Sequence, residues 1–131
     1  MFNKTKQPPI RSLIGEGTIV QGELRFAEGV RIDGEVQGDV IAIDAQGSVV
    51  VISEKARITG RIKAARIIVN GNVTGPIECD EFLELQPKAR VVGDVRYAVL
   101  EMHQGATIDG ELRPFSADEK PGLKLAAANE G

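Results

Sequence analysis

Any chemistry in this chain would pass through very few side chains. There is one histidine, His103, and one cysteine, Cys79. A thiol and an imidazole in contact would make a nucleophile for acyl transfer. Cys79, however, shares alternation parity with Val73, Gly75 and Ile77, while His103, in the corner "MHQG", falls on the polar parity. Opposite parities on a strand point to opposite faces. Cys79 is therefore expected as a small buried hydrophobe, and His103 as an exposed structural histidine with no evident partner. Metal sites need several His, Cys or clustered carboxylates. The one dense acidic stretch, "ECDEF" (Glu78–Phe82), reads as a solvated corner. "GEG" and "NGN" are not phosphate loops, because no strand-to-helix switch follows them. No catalytic, cofactor-binding or metal-ligating residues are expected.

The elements that would carry such groups are set by a repeat. "KARITGRI" (Lys55–Ile62) returns as "KARVVGDV" (Lys88–Val95), with "GVRIDGEV" (Gly29–Val36), "GATIDGEL" (Gly105–Leu112) and the looser "GTIVQGEL" (Gly17–Leu24) as further copies. "VNGNVTGPI" echoes "IDGEVQGDV", matching Gly71 and Gly75 to Gly34 and Gly38. Within one copy, Ala56, Ile58, Gly60 and Ile62 alternate with Lys55, Arg57, Thr59, Arg61 and Lys63. Period-two alternation marks strands with one buried face. The glycines lie on the apolar parity, at corners where a side chain has no room.

Asn-Gly and Asp-Gly pairs make an antiparallel meander a competitor. Two features favour a coil of short parallel strands instead. The alternation passes through each glycine without a slip, and the copies align like with like. Gly93 and Gly110 are 17 residues apart, and Gly60 and Gly93 are 33 apart, nearly two such turns. The 26 residues from Gly34 to Gly60 fit one and a half turns, so those copies would sit on different faces. A turn of about 17 residues with three bends predicts an all-β, parallel β-solenoid of triangular cross-section and about six turns, with "DAQGS" (Asp44–Ser48) as a corner loop. Aromatics make up 4% of residues and Trp is absent, which suits a thin core of Ile, Val, Leu and Ala.

Residues 14–113 are expected to form this domain. Residues 1–13, which contain Lys4, Lys6, Arg11, Pro8 and Pro9 and no acid, and residues 114–131, which lack alternation, are expected to be disordered tails. A lone cysteine, no signal-peptide pattern and no apolar run of about 18–20 residues point to a cytoplasmic chain. A net charge of −3 and few aromatics make nucleic acid an unexpected partner. Basic residues (Lys55, Arg57, Arg61, Lys63, Lys88, Arg90) and acidic ones (Asp33, Glu35, Glu78, Glu84, Asp109, Glu111) occupy different stretches. Stacked like charges repel across strands, so opposite charges are expected to interleave between turns.

A coil closes its sides but not its ends, and each terminal turn offers unpaired N–H and C=O groups. No polar cap of the kind repeat proteins add is visible. The first turn presents Leu13, Ile14, Ile19, Val20 and Phe26, and the last presents Ile108, Leu112 and Phe115. Apolar uncapped ends predict end-to-end polymerisation, with polarity left open.

The stretches "IGEGTIVQGEL", "GVRIDGEVQGDV", "ARIIVNGNVTGPI" and "LQPKARVVGDV", between two tails, resemble the bactofilins, bacterial cytoskeletal proteins. The resemblance covers residues 14–113. It implies a right-handed triangular β-helix and nucleotide-independent, non-polar filaments joined through the terminal turns. It also implies a scaffold at the inner face of the cytoplasmic membrane that localises cell-wall or morphogenesis proteins. "MFNKTK" resembles the family's membrane-targeting segment, with Phe2 inserting at the interface and Lys4 and Lys6 facing anionic headgroups.

Two other functions compete. A hexapeptide-repeat acyltransferase also builds a triangular β-helix, but it needs a strict six-residue period, which the glycine spacings break. A flat ligand-binding face, as in ice-binding solenoids, needs a Thr ladder, which Thr18, Thr59, Thr74 and Thr107 do not form regularly.

Overall fold

The computed structural model describes residues 9–44 and 46–115. Among these every regular element is a strand, and every strand pairing is parallel. The chain winds through six turns of three strands each. Turn one is β1 (Ile10–Ile14), β2 (Ile19–Gln21) and β3 (Leu24–Phe26); turn two is β4 (Gly29–Ile32), β5 (Glu35–Gln37) and β6 (Val40–Ala42). β7 (Val49–Ile52), β8 (Arg57–Thr59) and the start of β9 (Ile62–Val69) make turn three. The rest of β9, β10 (Asn72–Thr74) and the start of β11 (Ile77–Leu85) make turn four. The end of β11, β12 (Arg90–Val92) and the start of β13 (Val95–Met102) make turn five; the end of β13, β14 (Thr107–Asp109) and β15 (Leu112–Pro114) make turn six.

Register stacks like on like. One inward column runs Ile14, Ile32, Ile52, Val69, Leu85, Met102 along the first face. A second runs Val20, Val36, Ile58, Val73, Val91, Ile108, and a third Leu24, Val40, Ile62, Ile77, Val95, Leu112. The four middle members of each column are buried. Branched aliphatics suit this because each packs on a near copy of itself, one strand spacing of about 4.8 Å away.

The recurrent glycine has a steric cause. Gly22, Gly38, Gly60, Gly75, Gly93 and Gly110 stack at the corner between the second and third faces, at intervals of 16, 22, 15, 18 and 17 residues. A Cβ on Gly60 would lie 2.2 Å from the Gly38 carbonyl oxygen, and one on Gly75 2.1 Å from the Gly60 oxygen. Only glycine lets adjacent turns approach this closely. Gly34 stands at the other corner, between β4 and β5, so Gly38 and not Gly34 is the counterpart of Gly60. This accounts for the 26-residue interval. The interval of 22 contains the loop between β6 and β7.

The corner between the third and first faces has no continuous glycine ladder, and in its middle turns it is closed by side chains. Ser48 is buried, and its Oγ accepts the Ala65 N–H at 2.9 Å. The Cys79 thiol donates to the carbonyls of Ala65 (3.2 Å) and Phe82 (2.9 Å), where the register of β11 shifts.

The first strand starts at Ile10, ahead of the expected domain start at residue 14. Ile10 pairs with Gly29 but Ser12 with Val30, and this bulge breaks the alternation that would have revealed the strand. At the other end β15 runs through Pro114, and Phe115 N–H donates to the Tyr97 carbonyl at 2.8 Å.

Opposite charges do interleave between turns. Lys63 reaches Glu78 at 3.8 Å and Arg61 also pairs with Glu78, one turn on. Lys88–Glu54 (2.9 Å) and Lys55–Glu16 (3.6 Å) span two turns. Exposed pairs of this kind contribute about 0.2–1 kcal/mol each, so the columns and the backbone ladders dominate stability.

Candidate functional site

The three columns run out at both ends of the coil. β1, β2 and β3 each pair on one side only, with β4, β5 and β6. At the far end, β14 pairs only with β12, β15 only with β13, and the last part of β13 only with β11. Among the described residues each terminal turn thus keeps an open edge of backbone donors and acceptors.

The side chains follow the same logic. Among the described residues eight large hydrophobics are exposed, and six lie on the terminal turns: Ile10, Leu13 and Ile19 on the first, Val99, Met102 and Leu112 on the last. Leu112, the last member of its column, is 45% exposed, whereas Leu13 (60%) and Ile19 (57%) pair with Arg31 and Glu35 and face outward beside the first end, not into it. Ile14, Val20, Leu24 and Ile108 are only partly buried, because the next layer of their columns is missing. Among the described residues the ends are cross-sections of a core, without a cap.

Two of the expected end residues differ in setting from the rest. Phe26 is only 5% exposed. Its register partner on the next turn is the small Ala42, and Phe26 belongs to the core cluster. Sequence alternation places Phe26 inward but does not size its partner, so its expected exposure at the end is corrected here. Phe115 is half-buried, and the Arg96 guanidinium lies over its ring at 4.9 Å from the centroid. Phe2, Lys4 and Lys6 lie outside the described residues.

Cys79 and His103 are not brought together. Cys79 is buried at its corner, and burial pushes its thiol up to about 12, outweighing the backbone hydrogen bonds that favour the thiolate. The folded chain should therefore resist iodoacetamide at pH 8 and label fully once denatured. Rapid labelling of the native chain would mean that this corner opens.

His103 is half-buried and does have partners, contrary to expectation. Its Nε2 lies 2.9 Å from Glu84 Oε2 and 3.2 Å from Glu101 Oε2. Glu84 sits one turn earlier, so only the register between β11 and β13 brings it near. Thr59 and Thr74 are register partners, but Gln37 and Val92 flank them, so the threonine ladder stops at two. No helix among the described residues is long and apolar enough to cross a membrane.

The sequence profile of the bactofilins, described as polymer-forming cytoskeletal proteins, matches residues 12–113. This chain belongs to the bactofilin family. The match covers all six turns apart from the first residues of β1 and the last of β15. Bactofilin BacO of Myxococcus xanthus (strain DK1622) is 28% identical over 104 residues, which cover 77% of this chain and 77% of that protein. Bactofilin BacP of the same organism is 25% identical over 111 residues, 85% of this chain but 44% of that protein, so the chain spans less than half of BacP. No solved structure matches. The family is a structural, polymer-forming one, and the open apolar ends are surfaces on which such a polymer can form.

Proposed function

We propose that the chain is a cytoskeletal scaffold that assembles end to end, without nucleotide, into non-polar filaments at the inner face of the cytoplasmic membrane, where it localises cell-wall or morphogenesis proteins. The observation that carries the assembly step is the pair of ends, uncapped among the described residues, each with three truncated apolar columns and an open strand edge. Stacking a second copy restores the missing layer for Ile14, Val20 and Leu24, or for Met102, Ile108 and Leu112. The non-polar arrangement and the scaffolding role are supported by family membership. A hexapeptide-type acyltransferase is disfavoured by corners whose lengths change from turn to turn, as in Asp33–Gly34 against Ser53–Ala56.

Negative-stain electron microscopy of purified protein without nucleotide, at low and moderate salt, tests the polymer. Filaments are expected. Discrete monomers or trimers would overturn it and send attention to acyl-CoA binding.

Membrane attachment rests on "MFNKTK", whose Phe2, Lys4 and Lys6 suit an anionic interface. Each Lys near such a surface contributes about 1 kcal/mol, too little for one copy, but a filament multiplies the tails. Deleting residues 1–6 should abolish co-sedimentation with anionic liposomes and leave filaments intact. Retained liposome binding would assign attachment elsewhere.

A further inference from the structure

We propose that Glu84, Glu101 and His103 form a binding site for a divalent transition-metal ion, Zn2+ being the best matched, that ties the last turn of the coil to the turn before it. Glu84 lies on β11 in turn five, and its register partner on β13 in turn six is Glu101. Alternation turns both carboxylates out of the same face, directly opposite one another on adjacent strands. Like charges so placed repel. The imidazole of His103 reaches both, and the three ligand atoms lie within 4.8 Å of one another.

A tetrahedral ion with ligands at about 2.0–2.1 Å holds them about 3.4 Å apart. The two imidazole–carboxylate separations, 2.9 and 3.2 Å, already approach that spacing. One nitrogen and two carboxylate oxygens form a borderline donor set, which favours Zn2+ over the hard, all-oxygen preference of Mg2+. Water would fill the open position.

The ligands are held in place. The His103 N–H donates to the Leu85 carbonyl at 2.9 Å, and the His103 carbonyl accepts the Ala106 N–H at 3.1 Å. Glu84 and His103 are half-buried, so the ion would meet partly desolvated ligands.

Among the described residues turn six, like turn one, has a neighbour on one side only, which makes the end turns the ones most free to fray. An ion that bridges Glu84 to Glu101 and His103 binds only while turn six is docked, and so stabilises the docked state. Its effect on assembly rests on the polymer reading above; the binding itself does not.

The test is calorimetric titration of ZnCl2 into full-length, tag-free protein, with thermal melts in Zn2+, Mg2+ and EDTA. We expect one Zn2+ per chain and a melting temperature raised by Zn2+ but not by Mg2+. His103→Gln and Glu84→Gln should each abolish both effects while melting like the parent in EDTA. His103 and Cys79 are the only His and Cys of the chain, and Cys79 is buried, so lost binding is attributable to the site. Absence of saturable heat, or a Zn2+ response that survives His103→Gln, would overturn the proposal. Sedimentation of the same samples scores filaments separately, so a failed site and a failed polymer are told apart.

Discussion

Gly60→Ala should destabilise the coil severely, while Gly15→Ala should leave it at least as stable as before. The Cβ of the first variant would sit 2.2 Å from the Gly38 carbonyl oxygen and 2.5 Å from its carbon. Both are backbone atoms held in the parallel ladder, so neither can step aside. Gly60 also adopts a φ of +150°, which a residue with a side chain takes up only under strain. Forced overpacking costs about 1–3 kcal/mol, and a strained backbone conformation of this kind a further 1–3 kcal/mol or so. Together about 2–6 kcal/mol would consume much of the 5–15 kcal/mol that typically stabilises a domain. The site is in turn three, so the loss interrupts stacking in both directions, and repeat proteins depend on such neighbour contacts. Gly15 has no heavy atom within 4 Å of its Cβ position. Restricting its unfolded chain should give a change between nil and about 1 kcal/mol of added stability. Chemical denaturation followed by circular dichroism compares the two. Equal losses would refute the steric account of the glycine ladder.

Much of this architecture is legible in the sequence because its signal is local. Period-two alternation needs only neighbouring residues, and it places Ala56, Ile58, Ile62, Ala89, Val91 and Val95 inside, where all are buried. Contacts between turns are harder to see, because register depends on corner length. One corner takes four residues in "SEKA" and "QPKA" but two in "DG" and "NG". Alternation does not tell Gly34, at this corner, from Gly60, at the next, and Glu84 and His103, 19 residues apart, meet only through the register of adjacent turns. The bulge at Ile10 and Ser12 conceals β1 in the same way. For the ends, alternation finds which residues face inward but not how much of each is covered. Leu112 is 45% exposed, whereas Phe26, also inward on a terminal turn, is enclosed; Leu13 and Ile19 pair with Arg31 and Glu35 and face outward beside the first end.

Blocking one end should leave a species whose size reports filament polarity. Leu112→Arg on the last turn and Ile19→Arg on the first are the informative variants: Leu112 ends an inward column, Ile19 faces outward on the rim of β2 beside Val20, and both are exposed enough that the fold should change by no more than about 0.5 kcal/mol. Phe115 and Ile14 are poorer choices, because one lies against Arg96 and the other packs on the core. Burying a leucine or isoleucine contributes about 1.5–3 kcal/mol, and an arginine in the seam adds an unpaired charge. A loss of about 3 kcal/mol or more raises the critical concentration by roughly 100-fold, so filaments should vanish from micrographs under conditions where the parent assembles. In a non-polar filament, like ends meet. Each variant then keeps one intact kind of junction and stops at dimers, and mixing the two gives nothing new. In a polar filament, first turn meets last turn. Each variant is then monomeric, and mixing them yields a dimer through the two unaltered ends. Sedimentation velocity of the variants, alone and mixed, separates these cases. Filaments that persist in both variants would move the junction off the terminal turns altogether, and the truncated columns would then need another covering.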